Sequence, residues 1–204
     1  MSLFLLSPAS LHGRRGRRLL DPAAADHGWG RRLRAGVPLG DLYSHVSALY
    51  FRGKLTYALR FANAGGTRII APGFGLAKPE WRVDPVAARR LAEVRVDAAE
   101  AAYRRPLERA LRRLRERPGD GPYVFLGSVA TDRYLAVLAP ILGAELAVPA
   151  AFFGLGSMQR GSLLLRAAAA GRELEYVAWQ ESERVGASGG SRFGPRAGAT
   201  HPGR

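Results

Sequence analysis

The sequence predicts a single α/β domain built around a mostly parallel sheet with helices on both faces. Short apolar runs alternate with helix-periodic segments, which is the pattern of parallel strands joined by crossover helices. The chain of 204 residues is long enough for one full core, and its 47% hydrophobic and 24% charged residues are typical of a globular protein. We therefore expect one three-layer domain over residues 1–179 and a disordered basic tail over residues 180–204.

The first part of the chain predicts a strand, a long loop and a helical region. Residues 2–6 form a continuous apolar run, too short for the core of a signal peptide, so we expect a buried strand. Residues 8–40 are rich in Gly, Pro, Arg and Ala without a clear period, which predicts a loop with at most a short helix. From Asp41, a suitable N-cap, apolar residues recur at spacings of three and four, which predicts one helix or two divided at Gly53.

Strands and helices are expected to alternate over the rest of the chain. The predicted strands span residues 67–71, 123–126, 145–148 and 174–179, and the predicted helices span residues 106–117, 131–142 and 157–170. A loop is expected from Pro72 to Pro85. Pro106 fits the first turn of its helix, Pro118 ends that helix, and Thr131 caps the next one.

Loops rich in Gly, Ser and Pro follow four of the predicted strands, at residues 7–10, 72–75, 127–131 and 154–157. Ligands of such sheets bind beyond the carboxyl ends of the strands, where these loops meet. Glycine allows close backbone approach and a hydroxyl offers a hydrogen bond, so we expect one cleft that holds an anion. The residues predicted to bind the ligand or its phosphate are Ser7, Ser10, Arg14, Arg15, Phe74, Gly75, Gly127, Ser128, Gly154, Gly156, Ser157 and Arg160.

The segment from Gly154 to Gly161 is a candidate phosphate-binding loop. It lies between a predicted strand and a predicted helix, where free N–H groups, Ser157 and Arg160 favour an anion. It matches neither a Walker A loop nor G-x-G-x-x-G, and a tight turn needed only for packing is the alternative. Ser128 likewise has two interpretations: it contacts the ligand, or it is an ordinary residue before the helix that Thr131 caps.

The chain is strongly basic, with a net charge of +14. This charge favours phosphate-rich partners, although composition alone is an equally good explanation because all basic residues except Lys54 and Lys78 are Arg. Arg14, Arg15, Arg17 and Arg18 form a cluster that is suited to phosphate; a merely solvated loop is the alternative. The basic face of the helix at residues 106–117 is more typical of a solvated surface.

Three side chains are candidates for acid–base chemistry. Lys54 and Lys78 stand out in a chain that otherwise uses Arg, because lysine has a compact and titratable amine; chance survival of two lysines is the alternative. His12 is the histidine beside a strand-end loop. The histidines show no metal-ligand spacing, the chain has no cysteine, and no Ser-His-Asp triad can be assembled, so we expect no metal and no cofactor.

Short motifs in three segments occur in the same order in a known superfamily. They are Leu-Leu-Ser-Pro-Ala-Ser at residues 5–10, Leu-Tyr-Phe-Arg-Gly-Lys at residues 49–54, and Ile-Ile-Ala-Pro-Gly-Phe-Gly-Leu at residues 69–76 with Pro79. The chain thereby resembles the YaaA peroxide-stress family, small bacterial and phage domains of unknown function, and a domain of the archaeosine synthases. The resemblance implies DNA binding or protection in one branch and modification of a tRNA base in another.

The resemblance also implies where the site lies and which roles do not carry over. It implies a site around Ser7, Ser10, Phe74, Gly75 and Gly127. Ser10 stands where a lysine is common, and Ser7 with its following proline stands where some branches have a cysteine. Any catalytic role of that lysine or cysteine is therefore not transferred to this chain.

Three functions remain as hypotheses. The first is a cytoplasmic protein that binds nucleic acid or nucleotide phosphate, linked to DNA protection or nucleobase modification. The second is an enzyme acting on a free nucleotide or a phosphorylated small molecule, with Lys78 or His12 as the acid–base group. The third is a non-catalytic structural or interaction protein. No apolar run is long enough to cross a bilayer, so we expect no membrane partner.

Overall fold

The computed structural model of the chain describes residues 2–24, 26, 28–47, 49–116 and 122–180. Its strands are β1 (Leu3–Leu6), β2 (Val37–Pro38), β3 (Thr67–Ala71), β4 (Gly75–Ala77), β5 (Arg82–Val83), β6 (Tyr123–Leu126), β7 (Leu146–Pro149) and β8 (Tyr176–Ala178). Its α-helices are α1 (Arg14–Leu20), α2 (Gly28–Arg34), α3 (Leu39–Ser47), α4 (Leu49–Phe61), α5 (Pro85–Glu93), α6 (Ala101–Arg115), α7 (Asp132–Leu142) and α8 (Ser157–Ala169). Short 3₁₀ turns occupy Pro22–Ala24, Gly143–Glu145 and Ala150–Phe152.

The main sheet has the strand order β4-β3-β1-β6-β7-β8. Strands β3, β1, β6 and β7 are parallel, while β4 and β8 pair antiparallel at the two edges. Strands β2 and β5 form a separate antiparallel pair. The predicted α/β class and mostly parallel sheet are therefore confirmed.

Side chains of β1 alternate between two cores, one on each face of the sheet. Phe4 and Leu6 join a cluster built with α1 to α5 and α8. Leu3 and Leu5 join a second cluster built with α6 and α7. All four side chains are buried, because a strand covered on both faces has no solvated side. The result is the predicted arrangement of three layers.

The prediction of a long loop over residues 8–40 is wrong, because this segment contains α1, α2 and β2. The two helices are seven residues long, and Leu19 and Leu33 are buried on their inner faces among many Arg and Gly residues. With so few apolar residues, the sequence shows no helical periodicity in this segment. Gly16 holds α1 close to the preceding loop, since a Cβ there would lie 2.1 Å from the carbonyl oxygen of Leu11.

The helical region from residue 39 to residue 61 is divided, but not at Gly53. Helix α3 ends at Ser47, α4 begins at Leu49, and Gly53 lies inside α4. Asp41 is in the first turn of α3 and is not its N-cap. Glycine is required inside α4 for a helix contact that is described with the site below.

The prediction for residues 72–105 missed β4, β5 and α5. The two strands have three residues and two residues, which is too short for an alternating pattern. Asp84 caps α5 by accepting a hydrogen bond from the N–H of Ala87 at 2.8 Å. Helix α6 begins at Ala101 with Glu100 as its N-cap, so Pro106 lies inside the helix and not in its first turn.

The remaining elements lie close to their predicted positions. Strands β3 and β6 match, and Thr131 precedes α7 as its N-cap residue, although its side chain makes no capping hydrogen bond. The predicted stop at Pro118 lies outside the described residues, as do residues 181–204 of the tail predicted over residues 180–204. In the part of the chain that the structure describes, no helix has the length and apolar character needed to cross a membrane.

Candidate functional site

The carboxyl end of β1 is the point where the chain changes direction in the sheet. After β1 the chain forms β3 on one side of it, and it later forms β6 on the other side. The loops that leave β1, β3 and β6 therefore emerge at one edge and diverge around β1, which is where ligands bind in open α/β sheets. Ser7, directly after β1, occupies this switch point.

Lys54 of α4 reaches Ser7 at this switch point. Its Nζ lies 2.6 Å from the carbonyl oxygen of Ser7 and 2.7 Å from the Ser7 hydroxyl. Lys54 is 1% exposed and Ser7 is 4% exposed, so the pair is removed from solvent. The structure thus brings together one residue predicted to be catalytic and one predicted to bind a ligand.

No described carboxylate forms an ion pair with Lys54. Its Nζ instead lies 4.6 Å from the ring centre of Tyr50 and 5.0 Å from that of Phe51. Burial disfavours the charged amine and lowers the pKa of Lys54 to about 7. The amine is therefore divided between its charged and neutral forms near neutral pH.

Other polar side chains surround this pair. Burial raises the pKa of Tyr134 to about 12, while the charge of Arg133 and a hydrogen bond with Ser7 act in the opposite direction. Burial also raises the pKa of Tyr50, and the nearby Arg160 guanidinium lowers it. Both tyrosines therefore keep their protons at neutral pH and act as hydrogen-bond donors.

Two buried tyrosine hydroxyls near the pair have no hydrogen-bond partner among the described residues. They belong to Tyr43, which is fully buried, and to Tyr50, whose contact with Arg160 does not meet hydrogen-bond geometry. Tyr43 lies close enough to Tyr134 for the two to interact electrostatically, and burial is the main cause of its raised pKa. Unpaired buried hydroxyls are uncommon in folded proteins and leave donors free for a ligand or a water molecule.

Helices α4 and α8 cross at two glycines beside these side chains. A Cβ on Gly53 would lie 2.6 Å from the carbonyl oxygen of Gly161, and a Cβ on Gly161 would lie 2.9 Å from the Cα of Tyr50. Only glycine permits so close an approach. The crossing brings Tyr50 of α4 beside Arg160 of α8, so these glycines set the geometry of this part of the site.

A second feature is a groove of about 880 Å³ that we call the arginine groove. Its lining residues are Arg14, Arg15, Arg18, Leu19, Asp21, Ala23, Gly28, Trp29, Gly30 and His45. The guanidinium of Arg15 donates a hydrogen bond to the carbonyl oxygen of His45 at 3.1 Å, which joins α1 to α3. Arg17, predicted to bind phosphate with its neighbours, does not line the groove.

An aromatic stack forms one wall of the arginine groove. The rings of Trp29 and His45 stack with their centres 4.1 Å apart, and the guanidinium of Arg32 lies 4.2 Å from the centre of the Trp29 ring. Burial and then the charges of Arg15 and Arg32 lower the pKa of His45. His45 is therefore a neutral aromatic surface at neutral pH.

Lys78 and Phe74 line a different groove, of about 550 Å³, together with Trp81. The rings of Phe74 and Trp81 lie 4.9 Å apart, and Phe74 is partly exposed. Gly75 has a positive φ and lies against the carbonyl oxygen of Pro106, where a Cβ would come within 2.5 Å. Its backbone therefore fixes β4 against α6, and a role in ligand binding stays a prediction.

Ser10, His12 and Ser128 lie at the surface of the strand-end loops. The hydroxyl of Ser10 accepts a hydrogen bond from the N–H of His12 at 3.3 Å, and both residues are exposed. The half-buried Ser128 accepts a weaker one from the N–H of Ala130 at 3.4 Å. Gly127 is buried, and a Cβ there would clash with the ring of Phe125.

In the segment around the start of α8, the glycines lie at the surface while Arg160 is buried, so they do not form one site. Gly154, Gly156 and Ser157 are exposed, and the N–H of Gly156 already donates to the side chain of Gln159 at 2.9 Å. Arg160 is 6% exposed, and its Nε donates to the carbonyl oxygen of Phe152 at 3.1 Å. Arg160 therefore belongs to the buried group around Tyr50, and phosphate binding by this loop stays a prediction.

Tyr43, Tyr134 and the stacked His45 were not among the site residues predicted from the sequence. Tyrosines at apolar helix spacing look like ordinary core, and His45 lies one residue off the apolar stripe of its helix. Their contacts join helices that are distant in the chain, which no local pattern reveals. The described residues contain no group of three or more metal-ligating side chains.

The chain was compared with models of protein families, with curated proteins and with solved structures, and none of these comparisons gave a match. The resemblance to the YaaA and archaeosine-synthase superfamily therefore stays a prediction. The fold class follows from the structure itself, while the function has to be inferred from the chemistry of the site.

Proposed function

We propose that this protein binds the phosphate groups of a nucleic acid or a nucleotide in the arginine groove. The observation that carries the proposal is the common groove of Arg14, Arg15 and Arg18 beside the half-buried Trp29. Asp21 is the sole carboxylate among the described lining residues. Planar guanidinium groups match phosphate oxygens, and an aromatic wall suits a nucleobase.

The size and charge of the groove agree with this ligand. A volume of about 880 Å³ lies within the range of roughly 300–1,000 Å³ that is usual for ligand pockets. Because His45 is neutral at neutral pH, the positive charge of the groove comes from its arginines. The net charge of +14 adds long-range attraction to any polyanion.

Exchanging Arg14, Arg15 and Arg18 together for glutamine is expected to weaken binding of a fluorescent oligonucleotide at least about tenfold at low salt. The slope of log affinity against log salt should also decrease by roughly 2 to 3, because each lost phosphate contact removes about 0.7 to 0.9 from it. Fluorescence anisotropy with single- and double-stranded DNA and RNA over a salt series measures both quantities.

The matched control exchanges Arg105, Arg109 and Arg113 of α6 for glutamine, which removes the same charge from exposed positions on another helix. This control should reduce binding much less than the change in the groove. Equal losses in the two triple variants would show that total charge, and not the groove, holds the ligand.

A second candidate function is catalysis on a free nucleotide or phosphorylated small molecule. It is favoured by Lys54, a buried amine with a pKa of about 7 at the switch point of the sheet. A mononucleotide should then raise the melting temperature of the Arg14, Arg15 and Arg18 triple variant as well, since a ligand at 100 times its Kd adds about 2.7 kcal/mol of stability. Loss of that rise in the triple variant would leave only the first function.

A further inference from the structure

We propose that Ser7 and Lys54 form a nucleophile and general base that hydrolyse an ester or amide through an acyl-serine intermediate. The proposal goes beyond phosphate binding and does not depend on the arginine groove. It begins from the 2.7 Å distance between the Ser7 hydroxyl and Lys54 Nζ. This is the separation that a nucleophile and its base require.

The hydrogen bonds of the pair suit a neutral amine. A neutral Nζ donates to the Ser7 carbonyl oxygen at 2.6 Å and still has a lone pair for the Ser7 O–H at 2.7 Å. Two further partners of that hydroxyl are the carbonyl oxygen of Leu126, 3.5 Å away at the limit of a hydrogen bond, and Tyr134, which hydrogen-bonds with Ser7. A neutral amine is a stronger base than a carbonyl oxygen or a phenol hydroxyl, so Lys54 is the partner that can take the Ser7 proton.

Burial makes this proton transfer possible near neutral pH. An exposed lysine stays protonated and cannot act as a base. At position 54, desolvation favours the neutral amine, and no carboxylate among the described residues pairs with it. A purely structural bond to the Ser7 carbonyl oxygen would not need so costly a group. Serine paired with lysine is one of the known variants of serine nucleophile activation.

Hydrogen-bond donors for the developing negative charge are present in the same group. The buried hydroxyl of Tyr50 has no hydrogen-bond partner within the described ranges, and its ring lies 4.6 Å from Lys54 Nζ. Tyr134 lies beside Ser7 on the other layer. Both tyrosines keep their protons, so either one can donate to an oxyanion.

The reaction balances with water as the only co-reactant. The Ser7 oxygen attacks the carbonyl carbon while its proton moves to Lys54 Nζ. Collapse of the tetrahedral intermediate breaks the bond to the alcohol or amine, which leaves with that proton. Water then attacks the acyl-serine, giving one proton to Lys54, and the released Ser7 oxygen takes it back. The products are a carboxylic acid and an alcohol or amine.

The full-length protein treated with a small fluorophosphonate tests the proposal, because a serine activated in this way displaces fluoride and keeps the phosphonyl group. Peptide mass spectrometry should place a single adduct on Ser7, absent from Ser7→Ala. The rate of labelling should rise with pH around a midpoint near 7, since only the neutral Lys54 is a base. Lys54→Met should label at least about tenfold more slowly.

Two variants serve as controls. Ser44→Ala removes a half-buried hydroxyl from α3, and Arg52→Met removes an exposed cation from the same helix as Lys54. Both should label like the unaltered protein. An absent adduct, an adduct on Lys54 or a labelling rate independent of pH would each overturn the proposal. The pH profile is measured on the unaltered protein, so it does not depend on whether a variant folds.

Discussion

Lys54→Met is expected to remove the rise in the free energy of unfolding that the unaltered protein shows between pH 7 and about pH 9.5. Burial lowers the pKa of Lys54 from 10.5 to about 7 in the folded chain. Between these values the unfolded chain binds a proton that the folded chain does not. Stability therefore increases with pH in this window, by about 1.4 kcal/mol per pH unit for one group.

The direction of the Lys54 pKa shift determines how the free energies of unfolding of the two proteins should differ. Below pH 7 the amine is charged in both states, so the folded protein bears the full cost of burying it. The Met variant avoids that cost, and its stability relative to the unaltered protein should grow as the pH falls from about 9.5 to 7. Above this window the ionisation of tyrosines in the unfolded chain adds a separate effect at about pH 10.

Urea unfolding at several pH values measures this effect for both proteins. Arg52→Met is the matched control, because it removes an exposed cation from the same helix and should leave the slope in place. The lowered pKa of His45 acts only below about pH 6.5 and lies outside the window. A slope that survives in Lys54→Met would show that the amine is not the group that titrates.

Gly53→Ala is expected to destabilise the protein by about 1–3 kcal/mol, although alanine is the better helix former by about 1 kcal/mol. The added Cβ would lie 2.6 Å from the carbonyl oxygen of Gly161, so the backbones of α4 and α8 must move apart. Such a shift also separates Tyr50 from Arg160. The midpoint of urea unfolding reports the loss.

Gly13→Ala provides the comparison for this prediction. Its Cβ would meet no atom within 4 Å, and its backbone lies in the extended region that alanine adopts freely. Gly13 is the N-cap residue of α1, where glycine is somewhat better than alanine, so we expect a loss of no more than about 1 kcal/mol. If Gly53→Ala is as stable as Gly13→Ala, the glycine contact does not set the distance between the helices.

The parts of the site that could be predicted depend on patterns within short stretches of sequence. Apolar runs followed by Gly and Ser placed Ser7 at the end of a parallel strand, and the rarity of lysine directed attention to Lys54. The arginines before α2 could be seen as a cluster. Their common groove could not, because it requires Trp29 and His45 from two other helices.

The rest of the site depends on contacts between distant elements. Tyr43, Tyr50 and Tyr134 have the spacing of ordinary core residues. Only the packing of three helices shows that two of their hydroxyls lack partners in the part of the chain that the structure describes. Gly53 looked like a helix break, because the Gly161 that requires it lies 108 positions later. Helices α1 and α2 escaped detection since one or two buried residues per helix create no period.

The burial of Lys54 also limits how the composition of this protein can change. Almost every cation in the chain is arginine, and on the surface an exchange of lysine for arginine costs little. At position 54 the guanidinium would remain charged at every physiological pH, with no carboxylate partner in the described part of the chain and with more N–H donors than the two oxygens of Ser7 can accept. Position 54 therefore requires lysine, because a buried lysine can lose its proton and an arginine cannot.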